Sequence, residues 1–384
     1  MKAGDGSTIA RASLRDAFSQ VRSCMEEGVS GQVFPGAVLL VASGSRILFH
    51  ESFGRTGVDA DADPVSLDTI FDLASLTKPL AAALSVSFLI HDGLLDWETP
   101  LSDIFAEWKK KPAAAAGTTV SHLLSHCSGL PAFRPYYYWL NKQPEKNPKA
   151  WVRQRVMEEV LLSKPGAASL YSDLNFILLD WVVERVGGMG LDEFAGTRMY
   201  QPLGLDRTGF WTGRGEKFSI RAFASTGTCP IRKRNLRGEV HDRNAFFMQG
   251  VSGHAGLFST ASEIHRLLTE LYRSWAGERS ALFPTAEIKY MLKRRDVPNG
   301  ATWALGFDTP SPQGSSAGHH FSPESVGHLG FTGVSFWLNP ENGLIVILLT
   351  NRTAAYPRTT AIKRFRPKIH DLAWRAAMEI DVHE

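Results

Sequence analysis

Apolar residues fall along this chain in two periods. Ala37–Ala42 is an unbroken apolar run of strand length, and Ser43-Gly44-Ser45 turns it into Arg46–Phe53, which predicts a hairpin. Near the other end Val326–Phe331, Ser335–Leu338 and Leu344–Thr350 read as strands, the last two joined through Asn339-Pro340-Glu341-Asn342-Gly343. Helical spacing marks residues 8–27, closed by Gly28, and the almost wholly apolar stretch from Leu76 to Ile90, capped at Gly93. Further helical patterns cover 120–125, 151–162 and 170–186. Another, 264–275, is opened by the capping box Thr260-x-x-Glu263, and a terminal one runs from Pro367 to Met378. Residues 135–139 and 204–244 read as loops. Strands at both ends with helices between them imply an α/β, two-lobed chain. An antiparallel sheet is built from 1–79 and 300–384 and flanked by the terminal helices; a mostly helical lobe spans 80–299; a cleft lies between.

Composition changes this picture little. The chain has 384 residues, 43% hydrophobic and 21% charged, as ordinary globular proteins do. A net charge of +3 does not call for nucleic acid, and the basic run Arg352, Arg358, Lys363, Arg364, Arg366, Lys368 reads as a solvated face. Cys24, Cys127 and Cys229 are distant and odd in number, hence free thiols. Met1–Gln20 has no apolar core of a signal peptide, and no 18-residue apolar run occurs. The expectation is a cytoplasmic protein without a membrane span, periplasmic if a signal has been removed.

Chemistry enters at Ser75-Leu76-Thr77-Lys78, at the head of the apolar helix. Positions i and i+3 share a helix face, so the Lys78 ammonium reaches back to the Ser75 hydroxyl. A serine needs a neighbour to take its proton, and a lysine buried without a counter-charge is pushed down toward a useful base.

Two more elements, Tyr171-Ser172-Asp173 and His328-Leu329-Gly330, complete a pattern with the first. Together, over roughly residues 30–352, they resemble the three active-site motifs of the serine β-lactamase and penicillin-binding-protein superfamily, in its class C-like branch. The phrases Leu123–Pro131, Gly253–Ala261 and Gly327–Gly333 also look like that family. The resemblance implies a β-lactamase/transpeptidase-like fold and an acyl-enzyme on Ser75. Lys78 would hold or take the proton, and Tyr171 would act as base; which of the two is the base stays open. The oxyanion would lie between the backbone N–H groups of Ser75 and Phe331, and Gly330 would let substrate lie against its strand. Two positions depart from the pattern. Asp173 stands where an asparagine is usual and can only accept hydrogen bonds, and His328-Leu329 replaces Lys-Thr, weakening the clamp for a substrate carboxylate.

Three functions follow. One is a serine hydrolase of small esters or amides; the second is a D-Ala-D-Ala carboxypeptidase or β-lactamase taking a β-lactam-like substrate; the third is a catalytically silent binding module. Gly314-Ser315-Ser316-Ala317-Gly318 imitates a nucleophile elbow, but no apolar strand precedes it. His122 and His126 lack the partners of a zinc site, so neither metal nor cofactor is expected.

Overall fold

The computed structural model describes residues 16–212, 217–278, 282–355 and 360–381. Its main sheet contains β1 (Gly36–Ser43), β2 (Arg46–Gly54), β3 (Val326–Leu329), β4 (Ser335–Leu338) and β5 (Leu344–Thr350), in the order β2-β1-β5-β4-β3. Every neighbouring pair is antiparallel, and Ala37–Ser43 pairs residue for residue with Thr350–Leu344, so the two ends of the chain meet at the centre of the sheet.

Both faces of β1 and β5 are covered, which explains why their sequences are continuously apolar. Alternation decides which side chain goes where. Ala37, Leu39 and Val41, with Leu344, Val346 and Leu348, pack under the terminal helices α1 (Ser19–Ser30) and α5 (Ala361–Asp381). Val38, Leu40 and Ala42, with Ile345, Ile347 and Leu349, face the other way. They join one apolar cluster that continues into α2 (Leu84–His91), α3 (Asp173–Gly187) and α4 (Ala261–Ala276). Ala74–His91 is apolar enough by length and composition to cross a membrane, but 83% of it is buried inside this molecule.

Several local readings change. The segment expected as one helix from Leu76 begins as a 3₁₀ turn (Ala74–Leu76), widens into a π-helical turn (Lys78–Ala83) and becomes α-helical only at Leu84. Helix α1 runs past Gly28 to Ser30; the expected 8–15 portion lies outside the described residues. Thr260 does cap α4 by accepting from the Glu263 N–H, but the Glu263 carboxylate turns away to Arg207 and Thr208, so the box is half formed. The tyrosine cluster at 136–138 lies on a helix, Tyr136–Lys142, not a loop. Helix α5 starts at Ala361, ahead of Pro367. An interior proline costs a helical hydrogen bond and a ring clash, about 3 kcal/mol, so this helix extends through Pro367 only because it is packed along its length against the sheet.

Gly28 is glycine for a packing reason. A Cβ there would come within 2.5 Å of the Phe34 ring and 2.9 Å of Phe365, both rings packed between α1 and α5. Alanine in place of a helical glycine normally gains up to about 1 kcal/mol, whereas overpacking a core costs about 1–3 kcal/mol. Gly28→Ala should therefore lower the thermal midpoint; a raised midpoint in calorimetry would show that the Phe34 ring yields freely.

Candidate active site

Ser75 is presented on a strained turn. Ala74 holds φ at +47°, a left-handed conformation costing a non-glycine residue about 1–2 kcal/mol. Three hydrogen bonds hold it there. The Ala74 N–H donates to Asp72 Oδ1 at 2.8 Å, the Thr77 hydroxyl donates to the Ala74 carbonyl at 2.6 Å, and the Leu257 N–H donates to that hydroxyl at 3.1 Å. The other Asp72 oxygen accepts from the His241 N–H at 2.6 Å, tying the 241 loop to the same turn. Burial pushes the Asp72 carboxyl up to about 6 against those two hydrogen bonds.

Lys78 is fully buried and donates in three directions: to Ser75 Oγ at 3.0 Å, to Asp173 Oδ1 at 2.8 Å and to the His254 carbonyl at 3.0 Å. An ammonium has three protons, so this one is saturated. Sequence alone suggests a buried lysine without a counter-charge; Asp173 supplies one. Burial by itself would lower the Lys78 pKa, but Asp173 and then Tyr171 overturn this and hold it above the ordinary lysine value.

Tyr171 has 36% of its surface exposed along the cleft, while its hydroxyl interacts with both Lys78 and Ser75. Burial of that hydroxyl raises its pKa; the Lys78 charge opposes the rise and Asp173 adds to it. Asp173, which the motif placed toward substrate, thus also raises the proton affinity of its two neighbours.

The phrase Leu123–Pro131 explains how Tyr171 and Asp173 are delivered. His126 Nδ1 accepts from the Ser172 N–H at 3.0 Å, the Ser172 hydroxyl donates to the Pro131 carbonyl at 2.6 Å, and the Asp173 N–H donates to the Ala132 carbonyl at 2.9 Å. His126 and Trp303 pack against the Tyr171 ring at centroid distances of 4.6 and 5.6 Å. His126 thus positions this turn, and His122 caps the helix Val120–Leu124 through Thr119. The Gly253–Ala261 phrase works similarly. A Cβ at Gly253 would lie 2.2 Å from the Phe176 carbonyl, and this close approach brings the His254 carbonyl to Lys78. The His254 ring bridges Ser252 and Asp242 at 2.8 and 3.0 Å. Motif spacing assigned no task to Asp72, His126 or His254, although the quoted phrases contain the latter two.

The third element closes the cavity, of about 870 Å³, which Ser75, Tyr171, Asp173, His328 and Phe331 all line. His328 is buried, with Nδ1 2.9 Å from the Leu329 carbonyl. Burial and then the Lys78 charge lower its pKa to about 3, so at neutral pH it carries no charge toward a substrate. Gly330 is required on its protein side: a Cβ would meet Val334 at 2.3 Å and the Leu73 carbonyl at 2.7 Å. Strand β3 ends at Leu329, so Phe331 lies beyond it, in a turn, with its ring on His241 at 5.6 Å. The basic run is not uniformly a solvated face. Arg352 and Arg366 are buried and line this cavity; Arg358 is outside the described residues. The Ser315–Ser316 segment is a loop whose Ser316 carbonyl faces His370 Nδ1 at 2.7 Å, with no strand before it.

Comparison with known proteins gives a consistent pattern. The sequence profile of the family described as Beta-lactamase matches residues 21–367. An N-acetylmuramyl-L-alanine amidase of Bacillus subtilis is 31% identical over 351 residues, 83% of this chain and 77% of that protein. A putative D-alanyl-D-alanine carboxypeptidase of Salmonella agona is 27% identical over 350 residues, covering 83% and 79%. Among solved structures, EstCE1, a hydrolase with promiscuous acyltransferase activity, superposes with a TM-score of 0.71 at 20% identity over 95% of this chain and 100% of its own. The octameric penicillin-binding protein homologue from Pyrococcus abyssi gives 0.71 at 21% identity, over 95% and 77%.

The lowered His328 pKa makes stability depend on pH. Above the ordinary value of 6.5 neither folded nor unfolded chain is protonated there; from 6.5 down to about 3 only the unfolded chain takes up the proton. This group's contribution is therefore lost as pH falls through that window, by up to roughly 1.4 kcal/mol per pH unit. His328→Gln should flatten the acid side of the thermal midpoint against pH between 6.5 and about 4. Parallel wild-type and variant curves would refute the burial argument.

Proposed function

Because the chain belongs to the β-lactamase family of serine hydrolases, we propose that it cleaves small esters or amides through an acyl-enzyme on Ser75. The observation that carries this reading is the saturation of Lys78, whose three N–H bonds are spent on Ser75, Asp173 and His254. Ser75 Oγ accepts from Lys78, so its own proton is free to pass to the neighbouring Tyr171 oxygen.

Tyr171, in its deprotonated form beside the Lys78 ammonium, takes the Ser75 proton as Oγ attacks the carbonyl carbon. Negative charge moves to the carbonyl oxygen, toward the N–H groups of Ser75 and Phe331. Collapse breaks the bond to the alcohol or amine, which leaves with the proton from Tyr171. Water repeats the steps on the acyl-enzyme, giving the acid and regenerating Ser75. Lys78 and Tyr171 are close enough to titrate as a pair, and the active form is the one that has lost a proton.

Substrate preference follows from the third motif. His328 is neutral and buried and Leu329 has no hydroxyl, so the strand offers a β-lactam carboxylate no clamp; esters need none. Asp173, holding Lys78, has no N–H to offer an acylamide carbonyl. The names of the curated relatives favour a peptidoglycan-directed amidase or carboxypeptidase as the second reading.

Ser75→Ala should abolish both p-nitrophenyl acetate hydrolysis and the mass adduct from a fluorophosphonate, while Ser316→Ala keeps both. An adduct that persists without Ser75 sinks the assignment, and wild-type protein forming none points to a silent binding module. Asp173 raises both Lys78 and Tyr171. Asp173→Asn should therefore move the rising limb of kcat/KM to lower pH. A limb that stays in place would mean that neither group governs the rate, and one that moves upward would mean that Asp173 does not raise the group that does.

A further inference from the structure

A second cavity, of about 960 Å³, opens in the helical lobe and shares no lining residue with the one at Ser75. It lies between the short turns Ala106–Lys110 and Ala113–Ala115, the helix Pro148–Glu158 and the segment that follows that helix. Its floor is apolar: Trp181 of α3, Met157 and Leu161. Trp181 is held from beneath by the Phe105 ring, at a centroid distance of 4.6 Å. A concave apolar site of this size with a few polar groups at its edge suits a small molecule.

Six ionisable side chains edge the floor, and their pairing is uneven. Glu158 accepts from Arg155 at 2.7 Å and from Gln154 at 3.0 Å, and both Glu159 oxygens accept from Arg134 Nε, at 3.0 and 3.1 Å. Those two acids are committed. Lys111 is half-buried, lies over the Trp108 ring at 4.8 Å and donates once, to the neutral Glu159 carbonyl at 2.6 Å. Burial lowers its pKa against the pull of Glu159 and Glu158. An ammonium has three donors, so two remain for a ligand. Lys110 and Lys164 have no hydrogen bond among the described residues, and neither does the exposed Glu107. Three cations against one uncommitted acid favour an anion. The committed carboxylates close by favour a single negative charge over two, and the floor favours a hydrocarbon body behind it.

The wall of this cavity also supports the catalytic turn. Glu159 holds Lys111 through its carbonyl, and through its carboxylate it holds Arg134 and, at 3.1 Å, the Tyr136 hydroxyl. The neighbouring Phe133 and Tyr137 line the cavity at Ser75. Further on, the Leu162 N–H donates to the Gly129 carbonyl at 2.7 Å, and a Cβ at Gly129 would lie 2.2 Å from the Ser163 carbonyl. Gly129 leads directly to Pro131 and Ala132, whose carbonyls accept from Ser172 and Asp173. Residues 159–163 are thus shared between the two cavities.

We infer that the second cavity binds an amphipathic monocarboxylate, its hydrocarbon on Trp181 and Met157 and its carboxylate on Lys111, and that its occupation is transmitted through residues 159–163 to the Tyr171–Asp173 turn. It is an effector site, distinct from the place where esters or amides are cleaved.

Calorimetric titration of the protein with octanoate and with 1-octanol tests the site. Octanoate should bind more tightly than the alcohol. Lys111→Gln should weaken octanoate roughly tenfold, the loss of a charge-assisted hydrogen bond, and leave 1-octanol unchanged. Ala150→Tyr obstructs the cavity from an exposed helical position, where the larger side chain does not disturb the core, and should weaken both ligands severalfold. Binding that is absent, or that neither variant alters, overturns the site; 1-octanol bound as tightly as octanoate overturns the carboxylate. Hydrogen exchange reads the coupling. With octanoate the Leu162 and Asp173 N–H groups should exchange more slowly in wild-type protein and not in Ala150→Tyr. Exchange at both that octanoate leaves unchanged overturns the transmission. None of these measurements needs turnover, so their failure is separate from a failure of the Ser75 reading.

Discussion

The buried ammonium of Lys78 is the constraint on which this structure turns. Removing an ammonium from water costs several kcal/mol even after relaxation, so the fold has to surround it with acceptors. It does so from three separate parts of the chain: Ser75 one turn back, Asp173 at the head of α3 and the His254 carbonyl before α4. Each acceptor has its own support. Asp72 and Thr77 hold the Ser75 turn, His126 and Pro131 hold the Tyr171–Asp173 turn, and the absence of a Cβ at Gly253 lets the third approach. The residues that position Ser75, Tyr171 and Asp173 are thus the ones that surround and satisfy one lysine.

The same constraint governs proton affinity. Burial and a carboxylate pull the Lys78 pKa in opposite directions, and the carboxylate prevails. For Tyr171 burial and Asp173 act together against Lys78. For His328 burial and Lys78 act together, keeping the ring neutral. Burial, the Asp173 carboxylate and the Lys78 charge thus act with different signs on the three groups, raising the proton affinity of Lys78 and Tyr171 and lowering that of His328.

The opposite wall is tied to the sheet. Arg366 reaches from α5 to the carbonyls on either side of the Gly330–Val334 turn, and Arg352 reaches from the end of β5 to Phe331. Helix α5 also covers the outer face of β1 and β5. Packing of the terminal helix and shaping of the cavity are consequently one event.

The local pattern of the chain determined a good deal by itself. Continuous apolar runs at both ends specify strands covered on both faces, and the antiparallel sheet pairs them as the periodicity implies. Ser-x-x-Lys spacing suffices to put Lys78 against Ser75, because neighbours three apart meet in any helical turn, here a 3₁₀ turn running into a π-helical one. Long-range charge was decided only by the tertiary structure. Asp173 lies 95 positions from Lys78, and whether it faces substrate or lysine depends on how α3 docks. The basic run near the C-terminus looks solvated in one dimension, since nothing local reveals that α5 begins before Pro367 and turns Arg366 inward. Spacing along a chain encodes neighbours within a turn or a strand pair; burial and the long-range charges that compete with it at Lys78, Tyr171 and His328 are properties of what folds over them.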